Sequence, residues 1–144
     1  MRILFILIFL IIYSASSVEA RTRLCVRTAH APEAPCIMAE AARTDAEHRI
    51  GLMHRQSLLP HEGMLFFYQP PQPIFMWMKN TLIALDIVFL DDSKNIIHRE
   101  LNAQPHDLTP HGTSAPVAYV LEVPHGTASA YQMDIGTKLI WNNP

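Results

Sequence analysis

The chain has 144 residues, with 11 Lys and Arg, 13 Asp and Glu, and a net charge of −2 at pH 7. This length fits one compact domain with a real core. The near-neutral charge argues against the basic surface that binds nucleic acid or an acidic membrane, so we predict no nucleic-acid partner.

The N-terminal segment at residues 1–20 has the order of a secretory signal peptide. Arg2 precedes an apolar run at residues 3–13, and small residues lead up to Ala20, which is typical of a cleaved export signal. The run is shorter than the roughly 20 residues that span a bilayer as a helix, so a retained anchor is the weaker alternative. We predict cleavage after Ala20, a periplasmic or secreted product, and no stable membrane span after cleavage.

Cys25 and Cys36 are the only cysteines of the chain. Two cysteines in an oxidising compartment form a disulfide by default, and two separate thiols are the alternative. Their spacing is not that of a zinc site or a CxxC redox motif. We place a lead segment at residues 21–35 and a single domain at residues 36–142.

The first local signal in this domain is a helix start. Thr44 and Glu47 have the spacing of a capping box, which predicts a helix over residues 45–52. From Gly63 onward, short apolar runs alternate with turn residues, as in a series of strands. The predicted strands are residues 64–68, 74–78, 82–90, 95–101, 117–123 and 138–141.

Turn residues divide these strands. Residues 70–73 contain three prolines, which cannot donate to a strand ladder, so a loop is predicted there. Residues 91–94 are predicted to form a hairpin turn, and residues 124–133 to hold a second short helix. We predict a mainly β (α+β) fold, an antiparallel sandwich or distorted barrel with two short helices.

Six motifs resemble those of a known family. They are GLM at residues 51–53, GMLF at 63–66, FMWMKNT at 75–81, LDI at 85–87, NAQP at 102–105 and LEV at 121–123. Through these motifs the chain resembles the domain of unknown function 192 family over roughly residues 36–142. The resemblance implies a small, mainly β, sandwich-like domain, and it implies no particular reaction.

Two carboxylates on apolar strands are candidate functional groups. Strand alternation places Asp86 on one face with Val88 and Leu90, and Glu122 on one face with Val120. An unpaired carboxylate in such a place is costly. Together with Lys79 they form either a general acid/base set or a structural arrangement, with one ion pair and one carboxylate that accepts backbone hydrogen bonds.

The FMWMKNT motif supplies the other candidates. Lys79, Asn80 and Thr81 bring a cation, an amide and a hydroxyl to one strand end, which suits an anion or a sugar hydroxyl. Alternatively, Asn80 and Thr81 satisfy the backbone of a turn while Lys79 extends into water. Trp77 is predicted to be a core residue rather than a stacking platform.

Three functions are compatible with these residues. The first is a binding or accessory module for a polar small molecule or glycan. The second is a small envelope enzyme with Asp86 or Glu122 as acid or base and Lys79 as electrostatic stabiliser. The third is a periplasmic copper binder that uses methionines such as Met76 and Met78. The histidines lack ligand spacing, so no metal site and no cofactor is predicted. The predicted ligand-binding residues are Trp77, Lys79, Asn80, Thr81, Asp86, Gln104 and Glu122.

Overall fold

The computed structural model describes residues 22–142, so the predicted signal peptide lies outside the described residues. The elements are β1 (Arg23–Thr28), β2 (Ile37–Ala42), α1 (Asp45–Ile50), β3 (Glu62–Met76), β4 (Leu85–Leu90), β5 (Ile96–Ala103), β6 (His111–Pro124), α2 (Thr127–Ala130) and β7 (Leu139–Trp141). Within residues 22–142, the seven strands form one sheet in the order β5-β4-β6-β3-β2-β1-β7.

The sheet curls into a half-barrel, and its two edges approach each other. Just before the edge strands β5 and β7, Asn95 forms an isolated antiparallel bridge with Lys138. The Ile96 N–H donates to the Thr137 carbonyl at 2.9 Å. The prediction of a mainly β domain with two short helices is therefore confirmed, with a single curled sheet as its framework.

One strand pair departs from the predicted antiparallel arrangement. β2 and β3 pair in parallel, because α1 and its connections carry the chain back across the sheet between them. The sequence did not predict β2, since its IMAEAA sequence is rich in alanine, which has low β propensity. β1 lies within the predicted lead segment and pairs with both β2 and β7, so the sheet begins before residue 36.

The proline-rich residues 70–73 lie within β3, and the prediction of a loop there was wrong. The pairing of β3 with β6 shifts register between Phe67 and Gln72 and again between Gln72 and Ile74. An interrupted ladder does not need an N–H donor at every position, so it tolerates proline. The irregularity lets both halves of β3 contribute side chains to one cavity.

The helix α1 begins as predicted. The Thr44 hydroxyl accepts a hydrogen bond from the Glu47 N–H at 3.2 Å, and the Glu47 carboxylate accepts one from the Thr44 N–H at 2.8 Å, which confirms the capping box. α1 ends at Ile50, two residues earlier than predicted, because Gly51 leaves helical geometry with a φ of 47°. Between residues 22 and 142 no helix is long and apolar enough to cross a membrane.

Two clusters of buried side chains lie on opposite faces of the sheet, because neighbouring strand residues point in opposite directions. The first core includes Leu65, Val88, Leu121, Val123 and Ala128. The second core includes Leu52, Met64, Phe66, Met78, Ile87 and Phe89. Two polar side chains can contact each other only if they point to the same face of the sheet.

Candidate functional site

A cavity of about 280 Å³ opens on the face of the second core. The volume is close to the lower limit of the roughly 300–1,000 Å³ range of small-molecule sites, so it suits a small ligand. Helix α1, the turn after it, β3, the segment after β3, and β6 form its walls. We call it the Glu122 cavity, and the residues that matter below are His48, Gly51, Phe66, Tyr68, Trp77 and Glu122.

Glu122 is the unusual member of this cavity. Its side chain is 5% exposed, and no hydrogen bond or ion pair to it is found among residues 22–142. Burial raises the pKa of its carboxyl from 4.5 to about 8, because water no longer stabilises the charged form. At pH 7 the carboxyl is therefore mostly protonated, and it presents an O–H donor at the cavity wall.

Gly51 allows the turn after α1 to approach Glu122. A Cβ at this position would lie 3.3 Å from the Phe66 ring and 3.9 Å from a Glu122 carboxyl oxygen. Its φ of 47° and ψ of −128° are accessible essentially only to glycine. Gly51 therefore allows the turn to pack closely against the Phe66 ring beside Glu122.

Aromatic rings form the side of the cavity next to Glu122. The Tyr68 hydroxyl donates to the Met76 sulfur at 3.7 Å, and burial, followed by the nearby Glu122 charge, raises the pKa of this phenol. The His48 ring lies 4.6 Å from the Tyr68 ring, and its Nε2 is 3.1 Å from the Ala42 carbonyl oxygen. These contacts hold the wall in place, and none of them is a hydrogen bond to the Glu122 carboxyl.

Trp77 lies at the mouth of the cavity and is 51% exposed, so the prediction that it belongs to the core was wrong. β3 ends at Met76, but the side chains keep alternating beyond it. Met76 and Met78 both pack in the second core, while the indole between them is exposed. The Lys79 ammonium is 5.0 Å from the centre of the Trp77 ring, a cation–π contact.

Asp86 has a structural role. It is 1% exposed, and it accepts hydrogen bonds from the N–H groups of Asn102 at 3.0 Å, Gly126 at 2.8 Å and Ala128 at 3.1 Å. His125 Nδ1 lies 3.2 Å from the same carboxylate. The carboxylate thus joins the end of β5 to the first residues of α2, as in the predicted structural alternative.

The two acids do not form the predicted acid/base set. Asp86 pairs with Val123 and Ile87 pairs with Glu122 across β4 and β6. Directly opposed residues share a face of the sheet, so Asp86 points to the first core and Glu122 to the second. Lys79 is exposed and contacts Trp77, so the three side chains remain apart.

The remaining predicted residues divide between the cavity and the surface. Thr81 is buried and lines the cavity, and its hydroxyl donates to the Lys79 carbonyl at 3.3 Å. Asn80 is an exposed turn residue with a φ of 54°. Gln104 is also exposed and donates to the Asn102 backbone and side-chain oxygens. Neither of these two amides is among the residues that line the cavity.

Residues 26–141 match the family model described as uncharacterized ACR, domain of unknown function 192. The chain belongs to the domain of unknown function 192 family. A comparison with curated proteins finds none that matches. The family membership agrees with the six sequence motifs.

Two solved structures are similar to this member of the family. A protein of unknown function from Novosphingobium aromaticivorans DSM 12444 is 34% identical, with a TM-score of 0.74, over 84% of this chain and 85% of that one. A proposed transcription regulator from Sinorhizobium meliloti 1021 is 33% identical, with a TM-score of 0.75, over 85% of this chain and 94% of that one.

Sequence reasoning missed part of the cavity in this family member. His48, Gly51, Phe66 and Tyr68 line it but were not candidates. Gly51 and Phe66 belong to the GLM and GMLF motifs, which were a usable signal. His48 and Tyr68 lie outside the motifs and are brought in by α1 and by the irregular part of β3.

Met76 and Met78, the methionines of the copper alternative, both pack in the second core. Met78 is fully buried, and the Met76 sulfur accepts the Tyr68 hydrogen bond, so their use as copper ligands stays an untested alternative. Among the described residues, no group of three or more His, Cys, Asp and Glu could hold a metal ion. Cys25 and Cys36 are free cysteines in the structure, and the disulfide between them stays a prediction.

Proposed function

We propose that this chain is an exported binding module that holds a neutral polar small molecule, of the class of a glycan fragment, in the Glu122 cavity. The observation that carries the proposal is the Glu122 carboxyl, which is buried at the cavity wall without a partner among residues 22–142. Export is the part of the proposal that rests on the predicted signal peptide alone.

An unpaired carboxyl needs a reason to be buried. A polar group that loses most of its hydration without gaining a partner costs up to about 1–3 kcal/mol, and a ligand oxygen that accepts from the protonated Glu122 would recover this loss. The protonated form is the one that burial favours near pH 7. A hydroxyl or carbonyl oxygen of a neutral ligand is the matching acceptor.

The other walls match the apolar face of such a ligand. Trp77 offers a half-exposed ring at the mouth, and Tyr68 and Phe66 lie inside. Aromatic rings provide flat, apolar contact area with specific geometry, and a sugar ring has both an apolar face and hydroxyl groups at its edge. The cavity therefore combines a stacking surface with one buried donor.

The enzyme alternative has less support. It required Asp86 or Glu122 as acid or base and Lys79 as electrostatic stabiliser. Asp86 points to the first core, and Lys79 is exposed and is not among the residues that line the cavity beside Glu122. The regulatory role proposed for the Sinorhizobium protein is not extended to this chain, because a net charge of −2 provides little attraction for nucleic-acid phosphates.

Native mass spectrometry of the protein recovered from the envelope fraction of the exporting cell tests this proposal. The wild-type protein should retain a small molecule, and Glu122→Gln, which keeps a neutral donor, should retain it too. Glu122→Leu, which fills the same volume without a donor, should lose it. Glu33→Leu at an exposed position is the matched control and should behave as the wild type.

Two outcomes would contradict the proposal. One is a wild-type protein that carries no small molecule when recovered in this way. The other is a molecule that remains bound to Glu122→Leu with unchanged occupancy, which would place it outside the Glu122 cavity. Thermal unfolding of each variant confirms that the comparison is made between folded proteins.

A further inference from the structure

Three sulfur atoms come together on the outer part of the sheet, away from the Glu122 cavity. Cys25 on β1 lies directly opposite Met38 on β2, and Cys36 precedes Met38 by two residues. Directly opposed residues and residues two apart share a face of the sheet. The Cys36 thiol is 3.5 Å from the Met38 sulfur, and the Cys25 thiol interacts electrostatically with Cys36.

We propose that Cys25, Cys36 and Met38 form a binding site for Cu(I). Thiolate and thioether sulfurs are soft ligands that select this ion. Both cysteines and Met38 are half-buried, so the site is sheltered yet open to an ion from solvent. The site differs from the predicted Met76 and Met78 pair in every ligand, and it is independent of the function proposed for the Glu122 cavity.

The positive charge of Arg27 acts on the Cys25 thiol. The Arg27 side chain is anchored by its own hydrogen bond to the Ala34 carbonyl at 2.7 Å. Arg27 would thus partly offset the negative charge that two bound thiolates bring.

The binding step is balanced without a co-reactant. Each thiol loses its proton to solvent as its sulfur binds Cu(I), so two protons are released, and the Met38 sulfur donates a lone pair. No electron is transferred, and copper remains Cu(I) throughout.

Disulfide formation is the competing fate of these thiols. It removes two electrons and two protons, and it needs an external oxidant. Cys36 lies diagonally across from Cys25, and diagonal Cα atoms are about 7–8 Å apart. A disulfide usually needs about 4.4–6.8 Å, so closing the bond requires the strand ends to shift. The Cys36 and Met38 sulfurs, by contrast, already lie 3.5 Å apart, close enough to bind one ion.

Anaerobic titration of the reduced, full-length mature protein with Cu(I), in competition with the chelator bicinchoninate, tests the site. We expect one Cu(I) per chain, with three sulfur neighbours in X-ray absorption spectra. Cys25→Ser with Cys36→Ser should abolish binding. Met38→Leu should weaken it by at least about tenfold, a typical effect of changes around metal sites, and leave two sulfur neighbours. Met76→Leu with Met78→Leu is the control and should bind copper as the wild type does.

Three results would overturn the proposal. They are a reduced protein that takes no Cu(I) from the chelator, binding that survives loss of both cysteines, and a Met38→Leu variant with unchanged affinity and three sulfur neighbours. Circular dichroism of each variant shows whether it is folded, and Met38→Leu keeps the test decisive if a cysteine variant fails to fold. The wild-type protein recovered from cells could also have a mass two hydrogens below that of the reduced form. If this protein then binds no Cu(I) even after reduction, the cysteine pair serves as a disulfide.

Discussion

Replacing Glu122 by glutamine should make the protein more stable at alkaline pH. Burial raises the pKa of the folded-state carboxyl from 4.5 to about 8, so the folded protein holds this proton more tightly than the unfolded chain. The free energy of unfolding of the wild type therefore falls as the pH rises from about 4.5, and it levels off above about 8. Glutamine has the same size and stays neutral throughout.

The magnitude follows from the two pKa values. They differ by roughly 3.5 pH units, and each unit corresponds to about 1.36 kcal/mol, so the full effect is on the order of 5 kcal/mol. Most of it, on the order of 4 kcal/mol, falls between about pH 5 and pH 9. Over this interval the stability of Glu122→Gln should rise relative to the wild type by that amount.

Urea unfolding, followed by circular dichroism at a series of pH values, measures this difference. All other titrating groups are common to both proteins, so their contributions cancel in the comparison. Glu33→Gln, at an exposed position, should run parallel to the wild type. Wild-type and Glu122→Gln stabilities that stay parallel from pH 5 to pH 9 would refute the assignment of Glu122 as a buried neutral acid.

Other residues give further predictions. Asp86→Asn should lower the free energy of unfolding by about 3 kcal/mol in the same urea assay, because one amide oxygen cannot accept all the hydrogen bonds of the carboxylate. The control Asp92→Asn, at the exposed hairpin tip, should stay within about 0.5 kcal/mol of the wild type. Gly51→Ala should lose about 1–3 kcal/mol from its backbone conformation, and a wild-type midpoint of thermal unfolding would contradict this. Trp77→Ala should weaken binding of the retained molecule by about threefold to tenfold, as measured by calorimetry, and an unchanged affinity would remove Trp77 from the site. The affinity of the wild-type protein for the retained molecule should also fall as the pH rises through about 8, because ionised Glu122 cannot donate a hydrogen bond. An affinity that rises with pH would instead indicate a cationic ligand.

The fold was largely predictable because its signals are local. The capping box of Thr44 and Glu47, the hairpin at residues 91–94 and the short apolar runs of β4 and β6 each depend on a few neighbouring residues. β2 and the proline segment of β3 were missed for the opposite reason. Their strand geometry depends on partners distant in sequence, which override a weak or contrary local preference.

The site was predictable in part. Glu122 and Asp86 stood out correctly as carboxylates on apolar strands, but the sequence could not show that they face opposite sides of the sheet. That outcome depends on the register between β4 and β6, and a shift of one residue would reverse it. Trp77 was misplaced because alternation places it opposite Met76 and Met78 without showing whether its own side is covered, and that side is exposed.

A crystal structure of the protein purified gently from the envelope fraction of the exporting cell would show whether the Glu122 cavity holds a ligand. We expect electron density for a small molecule between the Glu122 carboxyl and the Trp77 ring, with a ligand oxygen within hydrogen-bonding distance of Glu122. A retained molecule bound elsewhere, or a cavity that contains only water, would contradict it.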